Sequence, residues 1–180
     1  MILNYIHLAL PLALTATAAV IDARSGKIPN WLTLPGLLAG LVFFVVTQGT
    51  QGLMLSALGA LVCFLVPGIL YFGSKGRAIG GGDLKLFAAL GVWFGPSSGL
   101  EVQLASYVLV VVLAMLQLTW HGGLWRVLKN ACALAVNPFR SAKNRRTLEP
   151  ELLTELRMGP CICLASLGFV FQELHSTGLV

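Results

Sequence analysis

Charge is what this sequence lacks. Asp, Glu, Lys and Arg make up 11% of its 180 residues, where a soluble domain carries about 25%. Hydrophobic residues fill 57% of the chain, and mean hydropathy is +0.84. Too little polar surface remains to cover a globule. That excludes a disordered tail, a nucleic-acid-binding module and an ordinary soluble enzyme. Nothing alternates polar and apolar as a barrel strand would. No basic n-region precedes the first apolar run, so Ile2 to Val20 reads as an uncleaved anchor, although Ala16-Thr17-Ala18 resembles a cleavage site. The four cysteines, Cys63, Cys132, Cys161 and Cys163, lack zinc spacing and read as small apolar helix residues. No metal and no cofactor is expected.

What the sequence does have is a series of long apolar runs. They extend from Ile2 to Ile21, Trp31 to Thr47, Gly52 to Phe72, Asp83 to Pro96, Val102 to Trp120 and Gly159 to Leu174. Crossing the hydrocarbon core takes roughly 20 apolar residues. Lipid offers no partner to unpaired backbone groups, so helices are the form such runs take. The expected fold is all-α: a polytopic membrane protein of six transmembrane helices, forming one domain over residues 1–180.

The basic residues agree with that count. Arg24 and Lys27 follow the first run, and Lys75, Arg77 and Lys85 follow the third. Arg126, Lys129, Arg140, Lys143, Arg145, Arg146 and Arg157 lie between the fifth and sixth. These are all 12 Lys and Arg of the chain, and they account for the formal net charge of +5. Basic residues in short loops favour the cytoplasmic side, so both termini are expected outside. The cytoplasmic loop at 121–157 reads as amphipathic surface structure held by anionic lipid, with polar Arg126, Lys129 and Asn130 set against Trp125, Leu128 and Leu134. The positive charge is therefore a topology label, and no nucleic-acid partner is expected.

Only two aspartates occur, Asp22 and Asp83. Asp22 ends the first run and Asp83 opens the fourth, which puts both at the same membrane face and similar depth. Ionisable groups at membrane depth are by default functional candidates. The plain alternative is that each carboxylate marks a helix end, with Asp83 stabilised by the helix dipole. Asp83 closes the run Gly80-Gly81-Gly82-Asp83, where side-chain-free backbone could lie against an extended peptide. Two converging carboxylates share a proton and titrate as a pair. The ionised one takes a proton from water while the protonated one polarises a carbonyl. No histidine completes a rival set: His7 is about 22 Å of helix rise from Asp22, His175 is on the opposite face, and His121 has no Cys or Ser in an obvious motif. Arg24 reads as a headgroup anchor, whereas Lys85 has two open roles, as a cation beside Asp83 or as an anchor.

Gly80-Gly81-Gly82-Asp83-Leu84-Lys85 resembles the GxGD motif, with its following Lys, of the type IV prepilin peptidases, which are intramembrane aspartyl proteases. Asp22-Ala23-Arg24 with Ile28-Pro29-Asn30 is similar to the motif carrying their first catalytic aspartate. Arg157-Met158-Gly159-Pro160 is similar to the family's Pro-aromatic-Gly-Pro stretch, with Arg and Met at the first two positions, and is given no chemistry. The resemblance implies an enzyme that cuts the basic leader from prepilins and pseudopilins at the cytoplasmic face of the bacterial inner membrane. It implies Asp22 and Asp83 as the catalytic pair, Gly80, Gly81 and Gly82 as the active-site loop along the substrate backbone, and Lys85 as a supporting residue. Its partners would be the leader, the adjoining transmembrane segment of the pilin, and membrane lipids. Larger members carry a cytoplasmic region with paired Cys-x-x-Cys motifs and are also N-methyltransferases. This sequence has neither, so it looks like the compact subfamily serving tight-adherence (Flp-type) pili, and methylation is left open. Two rival classes remain: a small ion-coupled transporter subunit using the aspartates as ion sites, and a non-catalytic membrane assembly protein.

Overall fold

The computed structural model describes residues 2–74, 79–120 and 157–176. They form four α-helices: α1 (Ile2–Ser25), α2 (Asn30–Gly73), α3 (Gly81–Trp120) and α4 (Met158–Ser176), with no strand among the described residues. Stretches of three of them, Ile6–Ser25, Asn30–Gly73 and Gly81–Leu116, are long and apolar enough to cross a membrane. Lys75, Arg77, His121 and the expected surface loop as far as Leu156 lie outside the described residues. The chain divides into two units, one of Met1–Leu109 with Arg157–Val180 and one of Val110–Leu156. In the second unit, the α3 stretch from Val110 to Trp120 exposes Val111, Met115, Leu116 and Trp120.

Two loops expected from the sequence, at residues 47–52 and 95–101, are not loops. The backbone of α2 leaves helical geometry at Gly49 (φ 64°, ψ −144°), and that of α3 at Gly95 (φ 78°, ψ 178°). Both conformations are nearly restricted to glycine. An unbroken 44-residue α2 would run about 66 Å, with residues eight apart separated by about 12 Å. Instead, a Cβ on Gly52 would lie 2.5 Å from the Phe44 carbonyl oxygen. Across the second break, a Cβ on Gly99 would lie 3.2 Å from the Cα of Gly91. The chain thus folds back at a single residue in each helix.

Packing in the larger unit is inverted relative to a water-soluble domain. Val46, Met54, Ile69 and Phe72 are each at least 70% exposed, while Thr15, Ser56, Gln103, Ser106 and Ser166 are buried. The buried hydroxyls of Thr15, Ser56, Ser106 and Ser166 donate to carbonyl oxygens three or four residues back. That satisfies them without a neighbour's help. Close approach of helices then rests on small residues: a Cβ on either Gly59 or Gly91 would collide with the other's carbonyl oxygen.

The opening of α3 is the centre of this unit. Leu84, Leu86, Phe87, Ala88, Ala89, Leu90, Val92 and Trp93 are all buried, so this helix is covered on every side. Leu86, Phe87 and Leu90 join Leu14 and Ala18 of α1, Ile28, and Ile162 and Ala165 of α4 in one core cluster. The Phe87 ring meets Tyr107 at 5.5 Å, and Phe94 meets Phe169 at 5.0 Å. This core fixes the end of α1 and the starts of α3 and α4 around one point.

Candidate active site

Asp22 extends the inward stripe of α1. Pro11, Leu14, Thr15, Ala18 and Asp22 are buried, at the three- and four-residue spacing that puts them on one helix face. The carboxylate therefore points into the protein, and Asp22 is only 5% exposed. A group merely marking a helix end among headgroups would not be buried in this way. The C-terminal end of α1 is the unfavourable end for an anion. The start of α4 compensates: the Gly159 N–H donates to Asp22 Oδ2 at 2.9 Å, and helix N-termini attract negative charge.

Past Asp22 the chain turns sharply. Gly26 adopts φ 67° and its N–H donates to the Asp22 carbonyl at 2.8 Å, the single-bond left-handed ending of a helix. Pro29 precedes α2 with φ −77° and ψ 147°, and its carbonyl accepts from Leu32 and Thr33 at 3.2 and 3.4 Å. Between these points lies Ile28, buried with 8% exposure. Its backbone rests on Gly82, where a Cβ would sit 2.9 Å from the Ile28 oxygen and 3.2 Å from its nitrogen.

Asp83 sits in the first turn of α3. The Leu84 N–H donates to the Gly80 carbonyl at 3.2 Å, so Gly80 is the N-cap. The Asp83 carboxyl reaches back to this cap, so that a Cβ on Gly80 would lie 2.8 Å from its Oδ2. An acid three residues after the cap occupies the carboxylate position of a capping box. The three glycines differ in what surrounds them. A Cβ on Gly80 would lie 2.8 Å from Asp83 Oδ2, one on Gly82 would press on Ile28, and one on Gly81 would meet only the Tyr71 ring, at 3.8 Å.

These elements bring the two aspartates together: the charge of Asp22 acts on Asp83. Asp83 also acts on Tyr107, whose hydroxyl accepts from Gln103 Nε2 at 3.2 Å. The remaining candidates separate. Lys85 Nζ donates to Asn30 Oδ1 at 2.7 Å. Arg24 is exposed. His7 lines a cavity of about 170 Å³ with Phe44, Gln48, Ser56 and Trp93, which includes neither aspartate. His175 is exposed near the end of α4. Cys63, Cys161 and Cys163 are free thiols. Among the described residues no group of three or more His, Cys, Asp and Glu is placed to hold a metal ion.

Sequence reasoning missed two participants, Gly159 and Asn30. Gly159 carried a signal in the Gly-Pro that opens the last apolar run, but nothing there named Asp22 as its partner. Asn30 carried one in the Ile28-Pro29-Asn30 stretch of the resemblance, but nothing there named Lys85 as its partner.

Comparison with known proteins gives a consistent set of likenesses. The family described as "Type IV leader peptidase family" matches residues 8–115, which include both aspartates. A prepilin leader peptidase/N-methyltransferase of Burkholderia pseudomallei (strain 1026b) is 38% identical over 117 residues, 61% of this chain and 36% of that protein. Proteins of the same name from Dickeya chrysanthemi and Klebsiella pneumoniae are 40% and 38% identical, over 43% and 47% of this chain. The chain spans 28%, 36% and 38% of the length of these three relatives. No solved structure matches.

Proposed function

The chain belongs to the type IV leader peptidase family, and from that premise we propose that it removes the leader peptide from type IV or Flp-type prepilins, with Asp22 and Asp83 as the catalytic pair. The observation that carries the proposal is that Asp22, buried at the end of α1 and held by the start of α4, lies near enough to Asp83 at the start of α3 for its charge to act there. Family membership does not favour the ion-transporter alternative.

In the proposed reaction the pair holds one proton between its two carboxyls. The ionised carboxylate takes a proton from a water, whose oxygen adds to the scissile carbonyl. The protonated carboxyl gives its hydrogen to the carbonyl oxygen, forming a tetrahedral diol. As the C–N bond breaks, the leaving amine takes a proton from one carboxyl while a diol hydroxyl returns a proton to the other, so the products are a carboxylic acid and an amine and the pair regains its single proton. No further cofactor enters this chemistry. The Gly80-Gly81-Gly82 run is assigned to the substrate backbone, which a side-chain-free strand can approach.

The proposal includes a six-span topology with both termini outside and the aspartates facing the cytoplasm of a bacterial inner membrane. Support comes from the glycine breaks at Gly49 and Gly95, since each divides a helix of about 60 Å or more against a hydrocarbon thickness of about 30 Å. The one-sided placement of all twelve basic residues supports the orientation. The sequence contains no Cys-x-x-Cys pair, and the proposal covers the peptidase step alone.

Co-expression with a prepilin tests it. Asp22→Asn and Asp83→Asn each leave the prepilin unprocessed while the variant still accumulates in the membrane. Full leader removal by either variant overturns the mechanism.

A further inference from the structure

We propose that Asn30 is a positioning residue of this site, acting through Lys85 to hold the Asp22 and Asp83 segments at a set spacing. The inference rests on the aspartyl peptidase reading above and adds a device that keeps its two carboxyls in register. Lys85 Nζ donates to Asn30 Oδ1 at 2.7 Å, between residues 55 apart in the chain.

The position of that bond gives it leverage. Asn30 opens α2, and the only residues between it and the end of α1 are Gly26, Lys27, Ile28 and Pro29. Gly26 is tied to the Asp22 carbonyl at 2.8 Å, and the proline ring fixes φ just before Asn30. On the other side, Lys85 is two residues past Asp83 on the same helix. The Lys85–Asn30 bond therefore closes a short circuit, from Asp22 through the turn to Asn30, across to Lys85, and back to Asp83. Ile28 seated on Gly82 makes a second contact across the same circuit, formed by backbone. Loss of the Lys85–Asn30 bond leaves Ile28 as the described contact between the turn and the start of α3.

The partner's chemistry suits positioning. Asn30 offers a neutral amide oxygen, which gives Lys85 a charge-assisted hydrogen bond. To the two roles that the sequence left open for Lys85, a cation beside Asp83 or a lipid anchor, the bond adds a third, a tie to the turn after α1.

The test uses the full chain, purified in detergent and assayed on a prepilin substrate. Asn30→Leu and Lys85→Met each lower kcat by about tenfold, the order expected for one charge-assisted bond, with KM unchanged within about twofold. The double variant is no slower than the slower single variant, because both remove the same bond. The exchanged pair Asn30→Lys with Lys85→Asn returns kcat to within about threefold of the parent. Additive losses, a loss carried by KM, or full activity in the single variants would overturn the proposal. The first two would mark Lys85 as a substrate contact, and the last would mark it as an anchor. Amide hydrogen exchange gives a readout independent of cleavage. In Asn30→Leu, exchange quickens at residues 26–30 and also at 80–84, which carry no substitution. Unchanged exchange at 80–84 overturns the positioning role. If the parent protein cleaves no prepilin, the peptidase reading fails, and the exchange experiment still decides whether Asn30 holds the two segments together.

Discussion

The backbone N–H of Gly159 donates to Oδ2 of Asp22 across 2.9 Å, joining residues 137 apart in the chain. A Cβ at position 159 would lie 2.8 Å from the Asp22 Cβ and 3.2 Å from the Cα of Ala19. Glycine is therefore required here by the approach of a neighbouring helix backbone. The start of α4 both supplies the donor and clears the space for the acceptor. A carboxylate held by a main-chain donor on a packed helix keeps one orientation, which the proposed role of Asp22 needs.

Gly159→Ala follows directly. The added methyl meets α1 backbone, which has no flexible end to yield, so α4 must shift and the bond to Asp22 lengthens. Losing a hydrogen bond to a charged group costs about 1.5–3 kcal/mol. The expected outcome is prepilin cleavage slowed by at least about tenfold, with the variant still present in the membrane. Cleavage at the parental rate would show that the contact does not matter to the reaction.

The glycine run before Asp83 separates into positions of unequal tolerance. Gly82→Ala places a methyl 2.9 Å from both the Cβ and the carbonyl oxygen of Ile28, whereas the same change at Gly81 meets the Tyr71 ring at 3.8 Å, an ordinary contact. Gly82→Ala is expected to reduce processing severely and Gly81→Ala to reduce it little. Immunoblots of precursor and mature pilin read both. Equal effects at the two sites would mean that substrate approach, rather than Ile28, sets the requirement.

Gly95→Ala tests the break in α3. Nothing lies within 4 Å of the added methyl, and its cost comes from φ 78° alone. Such a conformation costs a non-glycine residue about 1–3 kcal/mol. Thermal unfolding in detergent should show a lower midpoint for Gly95→Ala. Gly168→Ala, a helical position with open space around it, should be neutral or raise it, since alanine is the better helix former.

Metal removal separates a carboxylate pair from metal-assisted hydrolysis. Chelation by EDTA should leave leader removal unchanged. A loss restored specifically by zinc would contradict the proposed mechanism.

Much of the fold and of the site is legible in the residues alone. Asp22 and Asp83 stand out because carboxylates are expensive at membrane depth and these are the only aspartates. The helical class follows from the apolar runs, which have no other way to satisfy their backbone in lipid. The breaks are less legible. A stretch of polar and small residues such as Thr47 to Gly52 reads as a loop, yet one glycine at positive φ reverses the chain while its neighbours stay helical. Composition averages over several residues, and a reversal needs only one.

Sequence by itself determined the membrane class, the helical secondary structure and the two aspartates worth testing. Each of these depends on local composition or on helical period. Tertiary structure alone decided that Asp22 points inward to meet the Gly159 amide, that Lys85 is held by Asn30, and that Gly82 is a seat for Ile28. Helical period names the face that a residue occupies. It does not name the residue opposite, because that depends on the relative register of segments that only packing brings together.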